Sequence, residues 1–265
     1  MDYKKLFDMT GKVCIVTGGY GYLGGASCKA MMDFGATVVA AIRKADERWA
    51  SDEAEGREHK ATAYIECDVS STESVKACFK EVFDRYGRID VLVNCANAGA
   101  GFGKESQLEY MPDDVFDKGI QGGINQYFRC TREVVPYMKK NGGSIINFCS
   151  MYGIVAPDLR IYGDNPQKQP ANYGCTKGAV LQLTRYAASS LSEYNIRVNA
   201  VTPGAFPRPS NQTDPAFNAQ LANKAMMGRF GKDYELGGAI VLLASDASTF
   251  MTGTNIVVDG GWTAW

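Results

Sequence analysis

A doubly wound α/β fold follows from three features of this 265-residue chain: seven short apolar runs rich in β-formers, crossover-length segments between them, and a glycine cluster directly after the first run. The runs are apolar almost throughout rather than alternating. That is the pattern of strands buried on both faces, so the sheet is expected to be mostly parallel and seven-stranded, with helices on both sides. No internal repeat, low-complexity tract or Pro/Ser linker interrupts the series, and a single domain over residues 1–265 is expected.

In chain order the expected strands are KVCIVTG (12–18), ATVVAAIR (36–43), ATAYIECDV (61–69), IDVLVNCA (89–96), GSIINFCS (143–150), IRVNAVTPG (196–204) and TNIVVDGG (254–261). Long helices are expected over about 113 to 140 and 174 to 194, and ligands at the carboxyl ends of the strands. Hydrophobic residues make up 45% and the formal net charge is −1, which supports a substantial core and argues against nucleic-acid or acidic-membrane partners. The longest apolar runs fall far short of the roughly 20 residues a membrane span needs, and MDYKKLFDMTGK has no apolar signal core, so a cytoplasmic location is expected.

Eight cysteines stand singly at 14, 28, 67, 78, 95, 130, 149 and 175, with no CxxC pair, and most are read as small buried apolar residues. His59 is the only histidine, in the charged stretch DEAEGREHK, which disfavours a Ser-His-Asp hydrolase or a poly-histidine metal site. Carboxylates are plentiful, but no cluster has ligand spacing, so no metal is expected.

The first run leads into Gly18, Gly19, Gly21 and Gly24 and then a helix, the strand–turn–helix context in which backbone N–H groups cradle a pyrophosphate at the positive helix end. NAD-binding folds of this Rossmann type place an acidic residue at the end of the second strand, where this chain has Arg43 and Lys44. A charge-assisted bond from Arg43, helped by Lys44, to a 2′-phosphate is worth about 1.5 to 3 kcal/mol and would favour NADP(H) over NAD(H) about ten- to a hundredfold. Ser150, Tyr173 and Lys177 then supply a hydroxyl and a Tyr-x-x-x-Lys pair suited to alcohol and carbonyl redox chemistry without a histidine. A spacing of four puts Tyr173 and Lys177 on one helix face.

These residues, with CDVS, LVNCAN, INFCS, YGCTK, IRVNAVTPG and the closing LASDAS and MTGTNIVVDGG, resemble the short-chain dehydrogenase/reductase superfamily along nearly the whole chain. The resemblance is to its single-domain branch, which includes gluconate 5-dehydrogenase-like and 3-oxoacyl-carrier-protein reductase-like enzymes. It implies that Tyr173 is the general acid/base, that Lys177 lowers its pKa and holds the nicotinamide ribose hydroxyls, and that Ser150 binds the substrate oxygen. It further implies cofactor contacts from Gly18, Tyr20, Gly21, Tyr22, Leu23, Gly24, Asp68, Val69, Asn94, Ala96, Pro203, Gly204 and Phe206. A substrate loop over 151–172, a lid over 205–230 and a homo-oligomer, tetramer or dimer, are expected on the same ground.

The chain departs from that pattern in places. Gly123 stands where the family usually has an asparagine that supports the lysine's water and proton relay. Asn125 lies about 200° around a regular helix from it and could substitute only if Gly122 and Gly123 allow a kink or bulge; a water on freed backbone is the other way to complete the relay. The glycine spacing G18-x-x-G21-x-x-G24 puts Tyr22 where the branch usually has glycine, and Asn97 replaces another glycine. The stretch from Pro157 to Pro170 is longer than relatives use; Arg160, Tyr162 and Lys168 in it could bind a carboxylate, phosphate or polyol, or belong to a rigid surface turn. Arg208 stands where relatives often have threonine, Met226 and Met227 are read as lid core, and Cys149 and Cys175 adjoin the catalytic candidates. The expected activity is interconversion of a secondary alcohol and a ketone on a polar small molecule. A 3-oxoacyl thioester or hydroxysteroid reductase, epimerisation or dehydration through transient oxidation, and a non-catalytic NADP-binding sensor or scaffold are the alternatives.

Overall fold

The computed structural model describes residues 2–56, 58–99 and 101–265. Seven strands form one sheet: β1 (Val13–Thr17), β2 (Thr37–Ile42), β3 (Ala63–Glu66), β4 (Val91–Asn94), β5 (Gly143–Phe148), β6 (Ile196–Pro203) and β7 (Asn255–Val258). Their order is β3-β2-β1-β4-β5-β6-β7 and every pairing is parallel, so the sheet is wholly rather than mostly parallel. β1, β2 and β3 run outward one way and β4 to β7 the other, which leaves the switch of direction between β1 and β4. Thr17 holds that junction, its hydroxyl accepting from the Cys95 and Ala96 amides at 3.1 and 3.3 Å.

The described residues form eight α-helices: α1 (Tyr22–Asp33), α2 (Ala45–Ala54), α3 (Thr72–Tyr86), α4 (Asp113–Ile120), α5 (Gln126–Met138), α6 (Ala171–Leu191), α7 (Pro215–Ala222) and α8 (Gly237–Ala244). α3 shows how local sequence sets an element. Ser71 caps its first turn by accepting from the Ser74 amide, Val75, Cys78, Phe79 and Val82 bury one stripe, and Gly87 ends it at φ +74°. The alternate faces of the strands feed two apolar layers. Cys14, Val16, Val38 and Ala40 face the α1 and α8 side, while Ile15, Val39, Leu92 and Ile145 face α3 and α5.

The long helix expected over 113 to 140 is interrupted by a π turn at Gln121–Asn125. Gly122 and Gly123 explain it. A Cβ on Gly122 would collide with the Ala98 carbonyl and one on Gly123 with Thr176 Cγ2 of α6, so the backbone comes closer than any side chain permits. Gly123→Ala should therefore lower stability by about 1–3 kcal/mol through overpacking. Gly238→Ala in α8, where a Cβ meets nothing within 4 Å, should be neutral or stabilising by up to about 1 kcal/mol. Denaturant melts of the two variants check the contrast.

Candidate active site at the strand switch point

The glycine loop lies over the carboxyl ends of β1 and β4. Gly18 adopts φ +68°, and a Cβ there would stand 3.0 Å from Ala96 Cα; one on Gly24 would strike the Gly18 carbonyl. α1 opens at Gly21 without any side-chain cap, so the N–H groups of the turn holding Tyr22, Leu23 and Gly24 are available to an anion. A backbone cradle too tight for side chains, ending in an uncapped helix, fits a dinucleotide pyrophosphate.

Tyr20 turns away from this cradle and is anchored: its hydroxyl donates to Asp52 at 2.8 Å, as does that of Tyr64, and Asp52 is only 1% exposed. The Lys60 ammonium stands 4.4 Å from the Tyr20 ring centroid and donates to its carbonyl at 3.1 Å. Three residues 12 to 44 positions apart thus brace one side of the loop, an arrangement that carries no local sequence signal. Arg43 is exposed just past β2 and its charge acts on Asp68, whose carboxyl is held low mainly by hydrogen bonds from Ser70. Lys44 is paired with Glu47 at 3.0 Å. The Val69 carbonyl accepts from Arg129 at 2.7 Å. Asn94 points inward, its amide donating to Asn147 at 2.9 Å and Thr131 at 3.3 Å. Pro203 ends β6, Gly204 abuts Asp259 where a Cβ would crowd it, and the Phe206 ring lies against Gly231.

Ser150, Tyr173 and Lys177 meet at this crevice. Ser150 follows β5 in extended backbone and its hydroxyl accepts from the Tyr152 amide at 3.2 Å, capping a short turn, and stands close enough to the Tyr173 phenol to favour its ionised form. Lys177, one turn after Tyr173 on α6, places its ammonium 5.6 Å from the Tyr173 ring centroid and is 3% exposed. Its Nζ donates to the Phe148 carbonyl at 2.9 Å and to the Tyr127 hydroxyl at 3.3 Å. Burial lowers the Lys177 pKa from 10.5 to about 8. Burial also raises the Tyr173 phenol above its ordinary value, and the Ser150 hydroxyl only partly offsets this. In the free protein desolvation outweighs the interactions that favour the phenolate.

The departures resolve unevenly. Asn125 lies in the π turn, yet its side chain is exposed; the neighbouring buried amide, Gln126, donates to the Ala96 and Gly122 carbonyls, both at 2.6 Å. Exposed Asn97 borders a narrow cleft beside Tyr173 with Gly119, Asn172 and Thr176. In the long loop, Arg160 pairs with Asp158 and Lys168 with the Gly163 carbonyl, so both fold back on the loop itself. Tyr162 reaches the lid, its ring 5.2 Å from Phe217 of α7, and Asp158 is ion-paired with Lys224. Arg208 is exposed, and its guanidinium would lie 3.7 Å from a Cβ on Gly21, on the glycine-loop side. Met226 and Met227 are 50% and 61% exposed, which corrects their reading as lid core. That role falls to Ala225 and Leu221, which pack with Met151, Tyr152, Tyr173 and Trp262; the two methionines lie beside Gly260 and Gly261 instead. Cys149 is buried with its thiol pKa raised by desolvation, whereas Cys175 is exposed.

Comparison with known proteins agrees with this geometry. A family model described as enoyl-(acyl carrier protein) reductase matches residues 23–263. The chain is 37% identical over 256 residues to 3-oxoacyl-[acyl-carrier-protein] reductase FabG of Thermotoga maritima, covering 96% of this chain and 98% of that one. It is 32% identical over 262 residues to L-fucose dehydrogenase of Bos taurus, covering 95% and 89%. The crystal structure of a gluconate 5-dehydrogenase from Burkholderia cenocepacia J2315, in complex with NADP and tartrate, superposes with a TM-score of 0.83 at 28% identity over 98% of both chains. A parallel sheet with a nucleotide cradle at its switch point, and relatives that are dehydrogenases and reductases, define an oxidoreductase acting on CH–OH groups. The chain belongs to the short-chain dehydrogenase/reductase superfamily.

The depressed Lys177 pKa has a stability consequence. Between pH 8 and 10.5 the unfolded chain holds a proton that the folded protein has released, so this group makes stability rise with pH across that window. Relative to wild type, Lys177→Met should gain most below pH 8 and lose about 3 kcal/mol of that advantage by pH 10.5. Urea melts of both proteins at several pH values measure the difference.

Proposed function

We propose that the protein is an NADP(H)-dependent oxidoreductase that interconverts a secondary alcohol and a ketone on a polar small molecule, a sugar acid, polyol or keto-sugar. The observation that carries this reading is the convergence of Ser150, Tyr173 and Lys177 beside a cradle that only glycines can line. The nicotinamide, when bound, supplies or accepts the hydride. Ser150 hydrogen-bonds the substrate oxygen, Tyr173 gives it or takes from it a proton, and Lys177 holds ribose hydroxyls and keeps a positive charge beside the phenol. The backbone of residues 18–24 holds the pyrophosphate, Asp68 and Val69 flank the adenine, and Arg43, with Lys44 once released from Glu47, reads the 2′-phosphate.

Polar substrates are supported by similarity to a fucose and a gluconate dehydrogenase, and by the Tyr152 and Tyr162 phenols beside the site. Reduction of a 3-oxoacyl thioester is the second reading. It is favoured by the apolar wall of Met151, Leu221, Ala225 and Trp262 and by the similarity to FabG. The proposal includes a cytoplasmic homo-oligomer, tetramer or dimer. Half-exposed Phe128 on α5 and largely exposed Tyr186 on α6 support association through those helices. Among the described residues no helix is long and apolar enough to cross a membrane.

NADPH should bind about ten- to a hundredfold more tightly than NADH, and Arg43→Ser should erase the difference. Parallel fluorescence titrations test this, and equal affinities in the wild type would refute the NADP assignment. Tyr173→Phe should bind NADPH normally and lose about 10²- to 10⁴-fold in turnover. A panel of sugar acids and polyols against acetoacetyl thioesters, assayed with NADP+ or NADPH, decides between the two substrate classes.

A further inference from the structure

The place of the family's asparagine is sterically closed here, because any Cβ at Gly123 runs into Thr176, and neither Asn125 nor Gln126 reaches Lys177. The lysine is nonetheless buried, and an ammonium brings three donors that need oxygens. Two partners are present: the Phe148 carbonyl at 2.9 Å and the Tyr127 hydroxyl at 3.3 Å. Tyr127 is itself 1% exposed and donates its proton to the Phe148 carbonyl at 3.1 Å, which leaves its oxygen lone pairs turned to the lysine. Its ring centroid lies 5.1 Å from Nζ, adding a π face to the same cation. Gly123 meets α6 with bare backbone at Thr176, and residue 127, one turn later, brings a side chain to Lys177.

We propose that Tyr127 is a positioning residue that holds the Lys177 ammonium against the Phe148 carbonyl, doing for this enzyme what an amide at position 123 cannot. The inference rests on the dehydrogenase reading for its catalytic meaning, while the Tyr127–Lys177 contact stands without it. The titratable groups facing Lys177 are Tyr127 from α5, Tyr173 from its own helix, Cys149 after β5 and Cys95 after β4; among the described residues no carboxylate pairs with it. Burial keeps the Tyr127 phenol neutral well past its ordinary range, so it serves as an oxygen acceptor and does not compete with Tyr173 for protons.

The test is lysine side-chain NMR on the free protein, with the Lys177 signal assigned by Lys177→Met. In wild type it should titrate near pH 8, and in Tyr127→Phe lower by about half a unit to one unit, with NADPH affinity at pH 6.5 and the melting temperature nearly unchanged. Turnover of Tyr127→Phe should fall about two- to fivefold at pH 8 and largely recover at pH 6.5, where Lys177 is mostly charged in both proteins; a structural defect would not recover with pH. Should the variant fail to fold, the Tyr127 ring carbon of the wild type must sense the Lys177 titration. An unchanged Lys177 titration in Tyr127→Phe, or a wild-type ring carbon blind to it, overturns the proposal. Full turnover in Tyr173→Phe alongside a shifted Lys177 would instead refute the dehydrogenase reading and leave the contact intact.

Discussion

The site takes its position from the approach of α6 to the bare backbone of the α4–α5 segment. Gly119 admits the Asn172 side chain, and Gly123 admits Thr176. Those two residues then fasten the contact, Asn172 donating to the Val115 and Gly99 carbonyls at 2.9 and 3.3 Å and Thr176 to the Gly119 carbonyl at 3.3 Å. Each directly precedes a member of the proposed catalytic pair. Rotating one residue along a helix turns the side chain by about 100°, so locking Asn172 and Thr176 against α4 aims Tyr173 and Lys177 at the crevice. The same closeness that fixes the pair also removes the room for an amide at 123.

The crevice rests on a polar floor bonded from within, in which Asn94 Oδ1 alone of the Asn94–Asn147–Thr184 chain lacks a partner. Asn94 donates to Asn147, and Asn147 in turn donates to Thr184 of α6 at 3.0 Å, so β4, β5 and α6 are tied by side chains as well as by packing. On the other side of the switch, Asp52 gathers the Tyr20 and Tyr64 hydroxyls beneath the glycine loop. Buried networks of this kind set geometry more than they add stability. The proposed reacting groups are accordingly held by neighbours with other hydrogen bonds to keep.

Much of this was legible in the sequence. All seven strands appear where apolar β-rich runs predicted them, because a two-sided sheet writes its burial directly into composition. The glycine loop was legible for a similar reason, since a backbone approach excludes every side chain but hydrogen. The sequence did not show that Tyr127 would face Lys177: a spacing of four puts 123 and 127 on one helix face, but which of the two reaches the lysine depends on how closely α6 approaches, and tertiary packing sets that. Asp52, Tyr20 and Tyr64 come together only through tertiary packing. Met226 and Met227 misled because hydropathy reports what a side chain prefers, whereas the turn after α7 lays Ala225 inward and both methionines outward.

Asp90 joins distant parts of the chain at the opposite end of the sheet. Its carboxylate accepts from the Val13 amide at 2.8 Å, its own amide donates to the Val13 carbonyl, and its carbonyl accepts from Ser144. β1, β4 and β5 are thereby stitched together at their amino ends by a residue 77 positions after the first strand begins. During synthesis the unit β1-β2-β3 emerges first and can assemble from local crossovers, but one edge of β1 stays bare until β4 leaves the ribosome. That edge is the one beneath the nucleotide cradle, so the nascent chain exposes an unpaired apolar strand at the place where the finished protein is built to bind.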